Sequence, residues 1–400
     1  MKKTLLLILF SSVLYGCGGG GGSSGSVVKP PIAVSNVQPV TIENGSQFVG
    51  NNTTLSNILY TSVNVCVHGT TNCTTIDHVL VDTGSSGLRL LAYNIPTSIY
   101  ATMPYQTDPL GNTISECAIF ADGATWGAVK NVDIQIAGES ASNIPVQMIG
   151  DITYGGVPTA CSSTGLMENN ASTLGANGII GIANYKEDCG SYCSQTVGNG
   201  YYYGCNSSSQ TCTQEILSLA NQVQNPVFSF PVDNNGVIVQ IDAASQTGQN
   251  TGMGQLFFGV GTQSNNQQFG TFYTQNSNYN ISSTYNGIQQ PAIFDTGSSA
   301  YFFYDPNIPL CANGTSFYCP ASSLTLNVGI TGYSGTSSNQ SFLLENAETS
   351  YTSQGYGVKP GLGVNSGSVG TAMFDFGLPF FFGKSVGFSY NNNGNTGVFF

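Results

Sequence analysis

The sequence predicts an all-β protein of two related lobes, and three observations lead there. The pentapeptide Asp82-Thr83-Gly84-Ser85-Ser86 recurs letter for letter as Asp295-Thr296-Gly297-Ser298-Ser299. Each copy follows an apolar run, Val79-Leu80-Val81 or Ala292-Ile293-Phe294, so each sets a carboxylate where a buried strand ends in a turn. The composition is one of strands and turns: 51 glycines, 11% aromatic residues and only 7% charged residues leave little of the Glu, Lys and Arg that clothe helices. One Asp-Thr-Gly alone is ordinary turn chemistry. Two identical copies in a chain of 400 residues predict one carboxylate from each lobe at a shared site.

The N-terminus reads as a processing signal. Lys2 and Lys3 precede an apolar run, Leu5 to Leu14, too short for a stable membrane span. Leu14-Tyr15-Gly16-Cys17 resembles a bacterial lipobox, which makes residues 1–16 a signal peptide and Cys17 a lipid acceptor. The expected location is the bacterial cell envelope, with the protein held at the membrane by its lipid. Residues 17–50 form a tether and an extended lead-in, glycine- and serine-rich at first and then carrying Pro30, Pro31 and Pro39.

The first lobe is placed at residues 51–224. Strands are expected at Ile58 to Val67, at Ile76 to Val81 entering the first pentapeptide, and at Gly87 to Leu91 leaving it. A β-rich stretch follows from Ala118 to Val129. In the next strand Val132, Ile134 and Ile136 alternate with Asp133 and Gln135, the two-residue period of a half-buried strand. Asn177 to Ala183 is a short apolar run. Residues 184–212, with four cysteines and Tyr201-Tyr202-Tyr203, read as a disulfide-tied insertion. A helix is predicted over Thr213 to Val223, with Thr213 as N-cap and Asn225-Pro226 as its stop. The second lobe, 225–400, opens on a strand at Val227 to Phe230 and continues through Gly236 to Ile241 and Leu256 to Gly259. It closes on Met373 to Gly383, where Phe380-Phe381-Phe382 is read as a core strand.

Without Cys17, ten cysteines remain: Cys66, Cys73, Cys117, Cys161, Cys189, Cys193, Cys205, Cys212, Cys311 and Cys319. An even set in an exported chain predicts disulfides. Cys66–Cys73 and Cys311–Cys319 are the local candidates and Cys117–Cys161 the longer one. The other four pair either as neighbours or nested. A zinc site among them is disfavoured because no histidine is near, and no metal is expected. The net charge of −12, with Arg89 the only arginine, excludes a phosphate-backbone partner. His68 and His78 are too few and too scattered for a Ser-His-Asp triad.

On these residues the chain resembles the pepsin-like aspartic proteases, and more closely a bacterial family of cysteine-rich lipoproteins of unknown function that carries the same pattern. The likeness runs in order along residues 55–400. Phe120-Ala121-Asp122-Gly123, Gly127 and the strand to Gly138 fall at the spacing of the family's flap hairpin. Asn177-Gly178-Ile179-Ile180-Gly181-Ile182-Ala183 is similar to the segment packed behind the first catalytic turn, and Phe376-Gly377 to its second-lobe counterpart. The resemblance implies a bilobal double β-barrel with few short helices and an active-site cleft between the lobes. It implies Asp82 and Asp295 as a proton-sharing dyad that activates water for peptide-bond hydrolysis, without cofactor or metal. Thr83 and Thr296 would lock the two turns, Gly84 and Gly297 would allow their close approach, and Ser85 and Ser298 would hydrogen-bond the carboxylates. A monomer acting on a peptide or protein substrate is expected.

Two departures cluster at the flap. Phe120 stands where active enzymes carry tyrosine, and Arg89 where they carry its tryptophan partner; Trp126, the only tryptophan, is a candidate replacement wall, with core or hairpin packing an equal reading for it and for Phe120. Asp122, Gly123 and Arg89 complete the candidate substrate contacts, with a salt bridge the plainer reading of Arg89. The alternative function is a catalytically silent lipoprotein of the same fold that binds a peptide or glycan.

Overall fold

Strand follows strand from residue 37 onward. The computed structural model describes residues 35–49, 55–312, 314–351, 355–367, 373–392 and 394–400. Cys17, the signal segment and the tether before residue 35 lie outside these described residues, among which no α-helix is longer than five residues.

The first half of the chain carries β1 (Val37–Glu43), β2 (Ile58–Val67), β3 (Cys73–Asp82), β4 (Ser86–Leu91), β5 (Thr113–Ile119) and β6 (Gly123–Ile136). It continues with β7 (Glu139–Ile149), β8 (Leu166–Met167), β9 (Gly178–Ile182), β10 (Tyr202–Asn206) and β11 (Thr211–Gln214). In the second half come β12 (Gly236–Ile241), β13 (Gly252–Phe258), β14 (Phe272–Thr274), β15 (Ile281–Tyr285), β16 (Ile288–Phe294) and β17 (Tyr301–Phe303). The last are β18 (Leu324–Thr331), β19 (Ser337–Leu344), β20 (Gly363–Asn365), β21 (Phe374–Phe376), β22 (Ser385–Asn392) and β23 (Asn395–Phe399).

These strands make a 16-stranded and a 7-stranded sheet. Pairing of β2 with β6 closes β2, β3, β9, β4, β7 and β6 into a ring. β1 lies between β2 and β13, so the larger sheet passes from the first half into β13, β12, β22, β23 and β14 of the second. The lead-in is thus an ordered strand over Val37–Glu43. The 7-stranded sheet runs β19, β18, β15, β16, β21, β17, β20.

Local sequence explains most of these elements. In β6, Val132, Ile134 and Ile136 are buried while Gln135 is exposed, as the alternation predicts. β4 is buried at every position, as befits a strand covered on both faces. Two-residue hairpins join β6 to β7 and β15 to β16 through Ala137-Gly138 and Asn286-Gly287. All four residues have positive φ, between 49° and 82°, the geometry that lets a tight turn follow the strand twist.

Three predicted elements are corrected. Thr213 to Val223 is not a helix: Thr211–Gln214 is strand β11, and only Leu219–Asn221 forms a 3-10 turn. Pairing of Cys205 opposite Cys212 draws the segment into a hairpin with β10, and that tertiary pairing overrides its weak helical propensity. Val227 to Phe230 is not a strand either. Pro226–Ser229 is a 3-10 turn whose first N–H, that of Val227, is capped by the Asn225 side chain. Leu378–Phe381 is likewise a 3-10 turn, although Phe380 and Phe381 are core residues. Phe380 sits 4.9–5.2 Å from the rings of Phe294, Phe376 and Phe400. Burial of each such ring contributes about 2–3 kcal/mol.

Five disulfides close: Cys66–Cys73, Cys117–Cys161, Cys189–Cys193, Cys205–Cys212 and Cys311–Cys319. The four cysteines of the insertion therefore pair as neighbours.

Candidate active site

Each pentapeptide is a turn between two strands that share a third strand threaded between them. β9 runs parallel to β3 and antiparallel to β4; β21 runs parallel to β16 and antiparallel to β17. The threaded strand must come close to the turn, which is why a glycine sits there in each case. A Cβ on Gly181 would lie 2.8 Å from the Ser85 backbone, and one on Gly377 2.1 Å from the Ala300 carbonyl oxygen.

The two turns are locked to each other by reciprocal hydrogen bonds. Thr83 N–H donates to Thr296 Oγ1 (3.1 Å), and Thr296 N–H donates to Thr83 Oγ1 (2.9 Å). Each hydroxyl passes its own proton across to the opposite strand: Thr83 Oγ1 to the Phe294 carbonyl (2.9 Å), Thr296 Oγ1 to that of Val81 (2.7 Å). These groups are buried, so every donor and acceptor in the lock is used.

The lock sets the two carboxylates over each other's turns. A Cβ on Gly84 would lie 2.6 Å from Asp295 Cγ, and one on Gly297 2.7 Å from Asp82 Oδ1. Both aspartates line one cleft of about 1330 Å³. Their surroundings differ. Asp82 accepts from Gly84 N–H (2.8 Å), Ser85 N–H (3.1 Å) and the Ser85 hydroxyl. Asp295 accepts from Gly297 N–H (2.7 Å), and its Oδ2 lies 2.9 Å from Ser298 Oγ. Burial, then the charges of Asp82 and Asp375, hold the Asp295 carboxyl well above the usual range. Asp82 is thus the richer in donors, and Asp295 is the carboxyl that resists ionisation.

The turn between β5 and β6 reaches the same cleft. Phe120, Ala121 and Asp122 line it, and Phe120 N–H bonds the Gly123 carbonyl to close the hairpin. Trp126 is not brought there. It lies opposite Cys117 on β5, fully buried, with its ring against Tyr203 and its indole N–H on the Gly155 carbonyl. Its wide apolar ring fills the layer beneath the hairpin instead.

Arg89 lines the cleft but is 3% exposed and ion-paired through one of its nitrogens. Its Nη2 bonds Glu116 Oε1 at 2.7 Å and Asp188 Oδ2 at 3.2 Å, and its guanidinium lies 5.6 Å from the Phe120 ring centroid. Asp188 also accepts from Tyr202 Oη. Burial, then the charge of Glu116, pushes the Asp188 carboxyl well up. The disulfide-tied insertion thus supplies part of the cleft floor through Asp188.

Four further residues belong to the site without a sequence signal that singled them out. Tyr185 lines the cleft, with its hydroxyl 3.3 Å from the Gly84 carbonyl oxygen. Glu116 and Asp188 answer Arg89. Asp375 brings a third carboxyl to Ser298, with Oδ2 2.6 Å from Oγ; its presence in Asp375-Phe376-Gly377, where the first half has Ile179-Ile180-Gly181, is the one visible clue. Among the described residues, one grouping of potential metal-ligand atoms occurs, Cys311, Cys319 and Glu348, and its sulfurs are joined in a disulfide.

A comparison with the curated proteins returns no match. A family profile described as "Protein of unknown function (DUF3443)" matches residues 32–399.

Proposed function

Because the chain belongs to the DUF3443 family, whose description assigns no chemistry, we propose from the site itself that the protein is an aspartic-type endopeptidase of pepsin-like, bilobal build. The carrying observation is the reciprocal Thr83–Thr296 lock, which sets two identical Asp turns face to face. The closed ring of the first half, the 7-stranded sheet of the second and the cleft lined from both support the bilobal reading.

In the proposed reaction a water sits between the carboxylates. Asp82, acting as the base of the pair, takes a proton from the water as its oxygen attacks the scissile carbonyl carbon. Asp295 gives its proton to the carbonyl oxygen, forming a gem-diol. Collapse returns one gem-diol proton to Asp295, and Asp82 delivers its proton to the departing amine. The cleft takes an extended peptide, and apolar walls such as Phe120, Ile293 and Phe302 favour apolar side chains beside the scissile bond. The lipobox adds an envelope location, with the cleft tethered to the membrane through Cys17.

The test is a peptide-library digest between about pH 3 and 8 of wild type, Asp82→Asn and Asp295→Asn. Each substitution should lower the cleavage rate roughly a thousandfold while leaving the protein folded. Unchanged rates in both variants would end this reading. A silent binding module is the second reading, and it is favoured by Phe120, which lacks a hydroxyl, and by Arg89, which is held by two carboxylates. Peptide or glycan binding with no cleavage at any pH would select it.

A further inference from the structure

The second Asp turn differs from the first in a way that the repeat conceals. Val81 pairs with Ile180 and Phe294 with Phe376, so Asp375 holds the place beside the second turn that Ile179 holds beside the first. The strands leaving the turns invert the pattern: Arg89 pairs with Ile179, and the apolar Phe302 with Asp375. Beside the first turn, Ser85 Oγ meets the Asp82 carboxylate. Beside the second, Ser298 Oγ lies between two carboxyls, 2.9 Å from Asp295 Oδ2 and 2.6 Å from Asp375 Oδ2.

A hydroxyl has one proton to give. Ser298 can donate to one carboxyl and must accept from the other, so both contacts are hydrogen bonds only when Asp295 or Asp375 is itself protonated. Asp375 Oδ1 is buried without a hydrogen-bond partner, and no basic side chain ion-pairs with Asp375 among the described residues. A carboxyl so placed resists ionisation. Burial, opposed by the Ser298 hydroxyl and reinforced by the charge of Asp82, raises it to about 7.

We propose that Asp375 is a positioning residue of the dyad, acting through Ser298 to keep the shared proton on Asp295 as the surroundings approach neutrality. The proposal rests on the peptidase reading of the dyad. While Asp375 is protonated, its O–H donates to Ser298 Oγ and the Ser298 O–H donates to Asp295 Oδ2. When Asp375 releases its proton to solvent, Ser298 turns its O–H to the new carboxylate. Asp295 then loses a donor that would have stabilised its own charge and gains an anion nearby. Both changes hold the remaining proton on Asp295. The groups facing Asp375 are Ser298 and Asp295 from the turn after β16 and Asp82 from the turn after β3. Ile293 and Phe302, its partners on β16 and β17, carry no charge.

The test is the pH profile of peptide cleavage for wild type, Asp375→Asn and Asp375→Ile, the latter placing there the residue type of the other half. In both variants the alkaline limb should move about one pH unit or more toward acid. An alkaline limb unmoved in both overturns the proposal. If wild type cleaves nothing, the peptidase reading fails separately and thermal unfolding decides the role of Asp375. A carboxyl raised in the fold lends stability that is complete below the ordinary carboxyl range and is lost as pH rises through the raised value. The Tm of wild type should therefore fall more between about pH 4 and 7.5 than that of either variant; parallel curves overturn the proposal. Should neither variant fold, carboxyl-carbon NMR of wild type must show Asp295 and Asp375 titrating as a coupled pair, and two independent curves overturn it.

Discussion

Asn57 does at one side chain what the threonine lock does at two. Its φ of 56° lies in the left-handed region that asparagine tolerates, and it is fully buried. Nδ2 donates to the carbonyls of Ser299 (2.7 Å) and Lys359 (2.9 Å), while Oδ1 accepts from Lys359 N–H (2.8 Å). A residue of the first half thus holds the end of the second pentapeptide. Asn57→Ala removes these three hydrogen bonds, and a loss of about 3 kcal/mol is expected in denaturant unfolding. Nothing in Ser56-Asn57-Ile58 announces this, since asparagine is common throughout the chain. Asp82 and Asp295 were legible because identity between distant pentapeptides is itself a signal. Arg89 was legible as a departure, but its partners Glu116 and Asp188 come from separate segments that no local pattern joins to it. Trp126 was open in sequence between the core and the cleft wall, because its place near the hairpin does not fix which face of β6 it occupies; the face it takes is the core.

At the scale of elements, the strands around the first turn could be read almost to their ends, because apolar runs broken by glycine leave little choice of conformation, whereas β17 after the second turn had no such signal. The segment after the insertion could not. Thr213 and Glu215 satisfy a helix start locally, yet the register of β10 against β11 puts Cys205 opposite Cys212 and decides the matter. Register was also what the cysteine count lacked, so neighbour and nested pairings looked alike. Among the five bridges, Cys117–Cys161 closes the longest loop, with a sequence separation of 44 against 4 to 8 for the others. Replacing both of its cysteines by alanine should lower stability by ~4 kcal/mol. The pairs Cys66–Cys73 and Cys205–Cys212 should each cost less when treated the same way. Chemical denaturation of the three double variants checks the order, and an equal or smaller loss for Cys117–Cys161 contradicts it.

For the whole molecule, the buried acids set the pH at which the fold is most stable. Glu168 is raised to about 7 by burial and then by Asp122, and Glu139 to about 7 by burial and then by Asp233. Asp375 joins them. A raised acid stabilises the fold below its ordinary range and loses that contribution as pH climbs, so stability should decline from about pH 4.5 toward 7. Asp133 is lowered to about 2, burial being outweighed by hydrogen bonds from His68, Gly69, Asn143 and Ser142. Its contribution is present above the ordinary range and is lost as pH falls toward about 2. Calorimetric Tm should therefore peak at mildly acidic pH; a Tm still rising from pH 5 to 7.5 would contradict these assignments.

The position of β1 has a consequence in time. Val37 to Ile42 pair with Gly252 to Phe257, so β1, the first strand among the described residues, has its second edge covered only by residues more than half of the chain away. Thr83 waits about as long for Thr296, 213 positions further on. Until then β1 is an open edge with a free hydrogen-bonding face, the kind of surface that recruits other chains. Contacts so far apart in sequence form slowly. The two halves are therefore not separable products of folding: the first cannot be finished until the second is in place.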